Sequence, residues 1–332
     1  MSRIRVRPAL FLALLGMLLS SAPALATKVG WHTSACPIDG TQSKVYELYS
    51  KNNHGGFDSD LCSYSSQGQW RGYAIATCPT DLLTLYADDF ELVYDEQTLL
   101  ALQAEAAAVV ADNPDPDALE VWDRYAIAAR FYRVMGKDDA FLAELYHQAS
   151  WVVRDGVVGV FMGLEGPVAA KQLLVQGQED LGGELAPDVR KKLLHNLARV
   201  AHRYGDAQLC DSYLDQFEAL PDLTPVERET VARMRYLAQE VEPRFQDLAI
   251  EAYLARLRQS DLGRDELIRS TYLVADLLRR RDRLVEAVPL YSLVVTAEDA
   301  PQQLRELALF LASEIVDEAK ARDPSPPRPE PR

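Results

Sequence analysis

Four cysteines are the side chains of this 332-residue chain with the clearest capacity for chemistry. Cys36-Pro37-Ile38-Asp39 and Cys78-Pro79-Thr80-Asp81 are two copies of the pattern Cys-Pro-x-Asp. Cys62 lies between the two copies, and Cys210 lies far from all three along the chain. Cysteine thiols either pair as disulfides or, as thiolates, bind metal ions. The clustering of three cysteines therefore predicts a covalent or metal-held site in the first hundred residues.

Two charged segments could bind ligands, but the sequence favours structural roles for both. Asp58-Ser59-Asp60 places alternating carboxylates in a loop, an arrangement that can bind Ca²⁺, but no EF-hand continuation follows. We expect a solvated turn that hydrogen-bonds its own backbone. Arg279-Arg280-Arg281-Asp282-Arg283 ends a helical pattern, where cations complement the helix dipole. We expect these arginines to form a solvated face.

Familiar catalytic motifs are absent from the sequence. None of the five histidines stands in a His-Glu-x-x-His pattern, and no Gly-x-Ser-x-Gly elbow occurs. No phosphate-binding loop or dinucleotide-binding glycine motif follows a strand pattern. We therefore predict that the protein is not an enzyme.

Charge and the N-terminus restrict the class and the location of the protein. With 35 Lys and Arg against 50 Asp and Glu, the net charge is −15, which argues against a nucleic-acid partner. Basic residues, a short apolar run and an Ala-Leu-Ala site within residues 1–26 predict a signal peptide. No later window is apolar enough to cross a membrane once this segment is removed. We expect a periplasmic or secreted protein of a Gram-negative bacterium.

The elements that must position the cysteines change character along the chain. Residues 27–95 predict a small β-rich module, with strands at Val45–Tyr49 and Tyr73–Ala76 and ten aromatic residues that we expect to pack it against the first helices. Residues 96–321 show apolar spacing of i, i+3, i+4 and i+7, which predicts ten to twelve helices. Residues 322–332 are rich in proline and predict an extended, disordered tail.

One helical stretch has the pattern of a packed helix pair. Residues 194–201 place leucine and alanine on one face, Tyr204-Gly205-Asp206 forms a turn, and Cys210, Leu214 and Phe217 share a face of the next helix. This resembles a tetratricopeptide repeat, with Cys210 where that family usually has Ala. We therefore predict a mainly α protein, a tetratricopeptide-like α-solenoid with a small N-terminal β-rich cysteine module. Cys210 is expected to be a small buried residue at a helix crossing rather than part of a disulfide.

The order of the N-terminal motifs resembles one family. Two Cys-Pro-x-Asp segments flank Asp58-Ser59-Asp60, and Asp88-Asp89-Phe90 follows. This order is similar to an uncharacterised bacterial family with paired Cys-Pro-x-Cys knuckles, an Asp-x-Asp segment and tetratricopeptide-like helices. The resemblance implies a zinc-ribbon-like arrangement, since four thiolates on two turns suit tetrahedral Zn²⁺. Asp39 and Asp81 stand where that family has its second cysteines.

Three interpretations of the cysteine module remain open, and one of them is that its thiols are inert. An oxidising compartment favours a disulfide among Cys36, Cys62 and Cys78, which is the preferred interpretation, and the ribbon geometry would bring Cys36 and Cys78 together. The alternative is a Zn²⁺ site built on the same three thiols with Asp39 and Asp81, or with His54. Apart from that alternative, we expect no cofactor.

Two functions follow from these interpretations. The first is an exported, non-enzymatic scaffold that binds a protein or peptide through its helical repeat surface. The alternative is a metal-binding or redox-active periplasmic protein that uses the paired Cys-Pro-x-Asp module. The metal content of the purified protein distinguishes the two.

Overall fold

The computed structural model describes residues 27–66, 68–159 and 163–322, so the predicted signal peptide and residues 323–332 of the predicted tail lie outside the described residues. The described part of the chain is mainly helical, with 65% helix in eleven helices and a small β region at its N-terminal end. This confirms the mainly α prediction. Among the described helices, none has both the length and the apolar character that a membrane span requires.

Hairpins make up most of the β region. β1 and β2 pair antiparallel, with Ala35 opposite Gln42, and β5 and β6 pair antiparallel, with Thr77 opposite Thr84. The predicted strand at Val45–Tyr49 lies within β2, whereas Arg71–Tyr73 forms a 3₁₀ turn and only the end of the second predicted strand is β-structure. The strands are β1 (Lys28–Ala35), β2 (Gln42–Ser50), β3 (Gly56–Phe57), β4 (Ser63–Tyr64), β5 (Ile75–Thr77), β6 (Thr84–Tyr86) and β7 (Leu164–Glu165).

The helices begin where the sequence supplies capping groups. Asp138 and Asp206 accept hydrogen bonds from the first-turn backbone, Thr224 forms a capping box with Glu227, and Pro187 occupies the first turn of its helix. Pro187 and Thr224 thus lie at the starts of two helices, as their residue types predict. The helices are α1 (Glu96–Asp112), α2 (Val121–Val134), α3 (Asp139–Val158), α4 (Gly166–Leu181), α5 (Pro187–Tyr204), α6 (Ala207–Glu218), α7 (Pro225–Tyr236), α8 (Glu242–Leu257), α9 (Arg264–Arg280), α10 (Leu284–Thr296) and α11 (Gln302–Arg322).

Helix packing combines neighbouring pairs with one long-range contact. The pairs α5–α6, α9–α10 and α10–α11 pack against each other in chain order. In addition, α3 packs along α8, although about 100 residues separate them in sequence. An open solenoid makes contacts only between adjacent repeats, so this packing exceeds what a simple repeat array requires. The solenoid part of the fold prediction is therefore not confirmed.

The pair α5–α6 agrees with the sequence prediction. Gly205 ends α5 in the left-handed region, with φ of 88°, and Cys210 is buried in the same core as Ala198 and Ala201. Cys210 therefore serves as a small core residue, as predicted.

A loop of the β module enters the helical part. β3 pairs in parallel with β7, which lies between α3 and α4, so that Gly56 faces Leu164. Gly56 has φ of 82°, and a Cβ atom there would lie 1.8 Å from the Leu164 carbonyl oxygen, so only glycine fits. This pairing places Asp58-Ser59-Asp60 in the interior of the helical region.

Candidate metal centre

The two Cys-Pro-x-Asp segments form the turns of two β-hairpins. Knuckle 1, residues 36–41, joins β1 to β2, and knuckle 2, residues 78–83, joins β5 to β6. In each knuckle the cysteine N–H donates to the carbonyl oxygen five residues later, at 2.8 and 2.9 Å. The cysteine carbonyl accepts from the N–H four residues later, at 2.9 and 3.2 Å. The two turns therefore share one backbone hydrogen-bond pattern.

The fourth residue after each cysteine bends the chain through positive φ. It is Gly40 in knuckle 1, with φ of 77°, and Leu82 in knuckle 2, with φ of 57°. Positive φ is energetically unfavourable for leucine, so contacts with the surrounding structure must stabilise it. Leu82 is buried in the core, and this burial holds knuckle 2 in the same shape that Gly40 permits in knuckle 1.

The shared turn shape directs four side chains toward one point. In each knuckle the aspartate accepts a hydrogen bond from the backbone N–H two residues later, at 2.8 and 2.9 Å. The Cys36 Sγ lies 3.2 Å from Asp81 Oδ2, and the Cys78 Sγ lies 3.9 Å from Asp39 Oδ1. One donor atom from each of these four residues lies within 4.8 Å of the other three. The knuckles thus contribute one thiol and one carboxylate each.

The two Sγ–oxygen distances are close to those of a tetrahedral Zn²⁺ site. Zinc binds thiolate sulfur at about 2.3 Å and carboxylate oxygen at about 2.0–2.2 Å, so the edges of its ligand tetrahedron measure about 3.3–3.8 Å. The two Sγ–oxygen distances, 3.2 and 3.9 Å, lie just below and just above this range. Cys36 and Cys78 are buried, whereas Asp39 is exposed, so a metal ion can enter from the Asp39 side.

Hydrogen bonds and burial set the protonation of the site. Hydrogen bonds from the Thr80 hydroxyl and the Thr41 backbone lower the pKa of Asp39 to about 2. A hydrogen bond between the two thiols lowers the pKa of Cys78 to about 7 and raises that of Cys36, which burial raises further. Within the described residues, no Lys, Arg or His forms a salt bridge with the Asp39 or Asp81 carboxylate. The site therefore gathers negative charge that protein cations do not neutralise.

The structure leaves the other predicted ligands outside this group. All four cysteines are free thiols. Cys62 packs beside Tyr64 and Val158, and its Sγ accepts a hydrogen bond from Arg71 Nη2 at 3.1 Å. Neither Cys62 nor His54 belongs to the four-residue group. Of the cysteine pairs considered from the sequence, the structure brings together Cys36 and Cys78.

A second acidic cluster, which we call the buried ion network, lies inside the helical region. Asp58 and Asp60 are 2% and 0% exposed, so the expectation of a solvated turn at Asp58-Ser59-Asp60 was wrong. The expectation of a solvated face also fails for Arg279 and Arg280, which are buried. The network comprises Asp58, Ser59, Asp60, Arg71, His147, Arg154, Asp155, His202, Arg203, Glu242, Asp276, Arg279 and Arg280.

The two aspartates of the loop share one arginine. Arg154 of α3 contacts Asp58 at 3.1 Å, Asp60 at 2.7 Å and Glu242 of α8 at 2.7 Å. Arg203 of α5 binds the other oxygen of Asp58 at 2.7 Å. The loop carboxylates thereby connect α3, α5 and α8.

The middle residue of the loop reaches α9. The Ser59 hydroxyl donates to Asp276 Oδ2 at 2.8 Å and accepts from Arg279 and Arg280, each at 3.0 Å. The Tyr272 hydroxyl donates to the Ser59 carbonyl at 2.6 Å. Arg279 and Arg280 in turn bind Asp276 at 2.9 and 3.0 Å. The arginines predicted to face solvent thus hold the module loop against α9.

Charge compensation explains why these groups stay ionised in the interior. Burial alone would raise the pKa of Asp60, but Arg154 and Arg280 hold it well below its ordinary value. Burial opposes ionisation of Glu242 as well, yet Arg154 and His202 lower its pKa to about 2. Arginine donors occupy the loop carboxylates, so this arrangement serves structure rather than Ca²⁺ binding.

Sequence reasoning missed the arginines of this network, although Arg154 carried a signal. It stands between Val153 and Val157, on a helix face that is otherwise apolar and buried. A charged residue on a buried face requires a buried partner, and the Asp58-Ser59-Asp60 loop supplies that partner.

No family model, curated protein or solved structure matches this chain.

Proposed function

We propose that this chain is a metal-binding protein whose two knuckles hold one Zn²⁺ ion through Cys36, Asp39, Cys78 and Asp81. The observation that carries the proposal is the convergence of these four donor atoms within 4.8 Å on two turns with the same backbone hydrogen bonds. The uncompensated negative charge of the group supports it, because a divalent cation would neutralise that charge.

The role of such an ion would be structural. Four protein ligands leave no open coordination position, which is typical of structural rather than catalytic zinc. The ion would join the turn between β1 and β2 to the turn between β5 and β6, and so fasten together two two-stranded hairpins, each of which alone would be marginally stable. Two carboxylates in place of two thiolates make a weaker zinc site, so partial occupancy during purification is expected.

Metal analysis of the purified full chain tests the proposal. We expect up to one Zn²⁺ per chain, and thiolate-to-cobalt charge-transfer absorption when Co²⁺ replaces it. Cys78→Ser and Asp81→Ala should each lose the ion. Cys210→Ala is the matched control, since it removes a buried thiol elsewhere and should retain the ion.

The double variant Asp39→Cys/Asp81→Cys sharpens the test. Four thiolates should raise Zn²⁺ affinity about tenfold or more over the wild-type chain. Failure of this variant to bind Zn²⁺ more tightly would show that the two knuckles do not converge on a metal ion.

The other sequence-based expectations stay predictions. They are the scaffold that binds a protein or peptide through a tetratricopeptide-like surface, the absence of enzymatic activity, and export to the periplasm.

A further inference from the structure

An aromatic cleft of about 650 Å³ opens on the surface of the β module. It is lined by the end of β2, by residues around the 3₁₀ turn Arg71–Tyr73, and by residues of the short helical segment Ala87–Phe90. Its ring-bearing and acidic lining residues are Tyr46, Glu47, Tyr49, Trp70, Tyr73, Tyr86, Asp88 and Asp89.

Several of these rings face solvent rather than the helices. Tyr49 is 59% exposed and Tyr73 is 44% exposed, whereas the expectation from sequence was that the module aromatics pack against the first helices. Tyr86 does so, since its hydroxyl donates to Gln148 at 3.1 Å. Tyr46 and Tyr73 lie side by side with ring centroids 5.0 Å apart. The cleft therefore presents a row of partly exposed tyrosines.

The ring faces of the cleft already attract cations of the chain itself. The Lys44 ammonium lies 4.8 Å from the Tyr46 ring centroid, and the Lys51 ammonium lies 4.2 Å from that of Trp70. Both distances are typical of cation–π contacts. The Lys28 ammonium lies 5.8 Å from the Tyr49 ring centroid as well. Among the described residues no such contact involves the rings of Tyr73 and Tyr86, so these two rings are the ones available to a further cationic group.

The cleft is also acidic. Its ionisable lining carboxylates are Glu47, Asp88 and Asp89, and no Lys, Arg or His of the described residues lines it. Glu47 lies 3.5 Å from His32 Nδ1 outside the cleft. Asp89 accepts a hydrogen bond from Tyr132 at 2.6 Å. Asp88 is exposed and forms no hydrogen bond or ion pair with the described residues. A ligand of the cleft should therefore have flat groups that stack on the aromatic rings and a positive charge that lies near Asp88.

We propose that this cleft binds the proline-rich segment of this chain, residues 323–332. The segment reads Asp-Pro-Ser-Pro-Pro-Arg-Pro-Glu-Pro-Arg and contains two Pro-x-x-Pro spacings with Arg328 between prolines. Prolines favour the polyproline II conformation even before binding, and their flat rings dock in aromatic-lined grooves. Because the conformation is already present, binding loses little conformational entropy. Arg328 then pairs with the Asp88 carboxylate or stacks on a tyrosine.

The segment binds the cleft of its own chain if Arg322 lies within its reach, and otherwise the cleft of a second copy. In the polyproline II conformation ten residues span about 31 Å beyond the end of α11. This inference is independent of zinc binding, because none of the four metal ligands lines the cleft.

Photo-crosslinking in the full chain tests the inference. Ser325 is replaced by benzoylphenylalanine, and the crosslinked peptides are identified by mass spectrometry. We expect crosslinks concentrated on residues 46–49 and 70–74. Crosslinks within one chain and crosslinks that produce a covalent dimer both support the assignment, and they distinguish the two routes.

Asp88→Lys should reduce these crosslinks about fivefold. Glu298→Lys, a charge-matched change at an exposed position in the loop before α11, should leave them unchanged. Excess synthetic peptide of residues 322–332 should compete, and the same peptide with Arg328→Glu should compete less. Crosslinks spread over the helical surface, or crosslinks that are insensitive to Asp88→Lys, would overturn the proposal. Circular dichroism of each variant confirms that it is folded.

Discussion

The two acidic clusters of this chain differ in whether basic side chains of the protein lie beside their carboxylates. In the buried ion network, Asp58, Asp60, Asp155, Glu242 and Asp276 each lie beside an arginine. In the knuckle site, Asp39 and Asp81 converge with two cysteines, and no described basic residue pairs with either carboxylate. The protein itself neutralises the first cluster, whereas we propose that a cation from solution neutralises the second. The source of the compensating positive charge therefore distinguishes the two clusters. In the buried ion network it comes from arginine side chains, and in the knuckle site it would come from the proposed metal ion.

The buried ion network also explains how the two regions are joined. Burying ion pairs is expensive, and such pairs contribute little net stability compared with apolar packing. Their geometric demands are strict, however, so they specify how the loop enters the helical region. We infer that the β module and the helices fold as one unit around Asp58-Ser59-Asp60.

The largest expected difference between the two clusters is in how an Asp→Asn substitution changes the free energy of unfolding. Asp60→Asn leaves Arg154 and Arg280 short of a buried negative charge and should lower the free energy of unfolding by about 3–5 kcal/mol. Asp39→Asn in metal-free protein should change it by less than about 1 kcal/mol, because the exposed amide keeps an acceptor for the Thr41 N–H. Urea denaturation of both variants measures the difference. Equal losses would mean that the two clusters do not differ in the way described.

The network should also govern acid sensitivity. The folded pKa of Glu242, about 2, lies below its ordinary value of 4.5. Its contribution of about 3 kcal/mol is therefore present above pH 4.5 and is lost as the pH falls toward 2. Asp155 acts in the opposite direction. Burial raises its pKa to about 6, so protonation as the pH falls through 6 relieves a penalty.

Unfolding free energies measured from pH 7 to pH 2 test these signs. We expect little change or a small gain down to about pH 5, followed by a steep loss. Glu242→Gln should flatten the loss below pH 4.5, and an equally steep loss in that variant would assign the acid sensitivity to other groups.

Zn²⁺ should stabilise the folded protein only by binding to the two knuckles. Zinc at a free concentration 100 times its dissociation constant should add about 2.7 kcal/mol to the folded state. A chelator should remove this gain from the wild-type chain and from Cys210→Ala. In Cys78→Ser, zinc should give no such gain, and thermal melts with and without the metal show whether it does.

The smallest effects are expected far from both clusters. Cys210→Ala should be nearly neutral, because the site between α5 and α6 suits a small side chain. Cys210→Leu should overpack it and lower stability by about 1–3 kcal/mol. A strongly destabilised Cys210→Ala, seen in the same melts, would mean that the thiol makes a bond that the structure does not contain.

Local features were accessible from the sequence. Capping residues marked the starts of α5 and α7, the alternating pattern at Val45–Tyr49 marked part of β2, and the small-residue spacing around Cys210 marked a helix crossing. The repetition of Cys-Pro-x-Asp indicated paired turns. Each of these signals lies within a few residues of the structure it specifies.

The failures concern contacts between residues far apart in the chain. Asp58 and Arg203 are 145 residues apart, and Ser59 and Arg279 are 220 apart. From the sequence, an aspartate-rich loop is expected to be exposed to solvent. Its burial depends on helices that are distant in the chain, and no local sequence pattern specifies where those helices pack. Cys62 was grouped with the other cysteines for the same reason, although the loop carries it toward Arg71 and away from the knuckles.

X-ray absorption at the zinc edge tests the central claim most directly. The full chain, loaded with one equivalent of Zn²⁺, should show two sulfur neighbours at about 2.3 Å and two oxygen neighbours at about 2.0 Å. The Asp39→Cys/Asp81→Cys variant should show four sulfur neighbours under the same conditions. A wild-type spectrum without sulfur neighbours would contradict the account, because it would place any bound zinc outside the two knuckles.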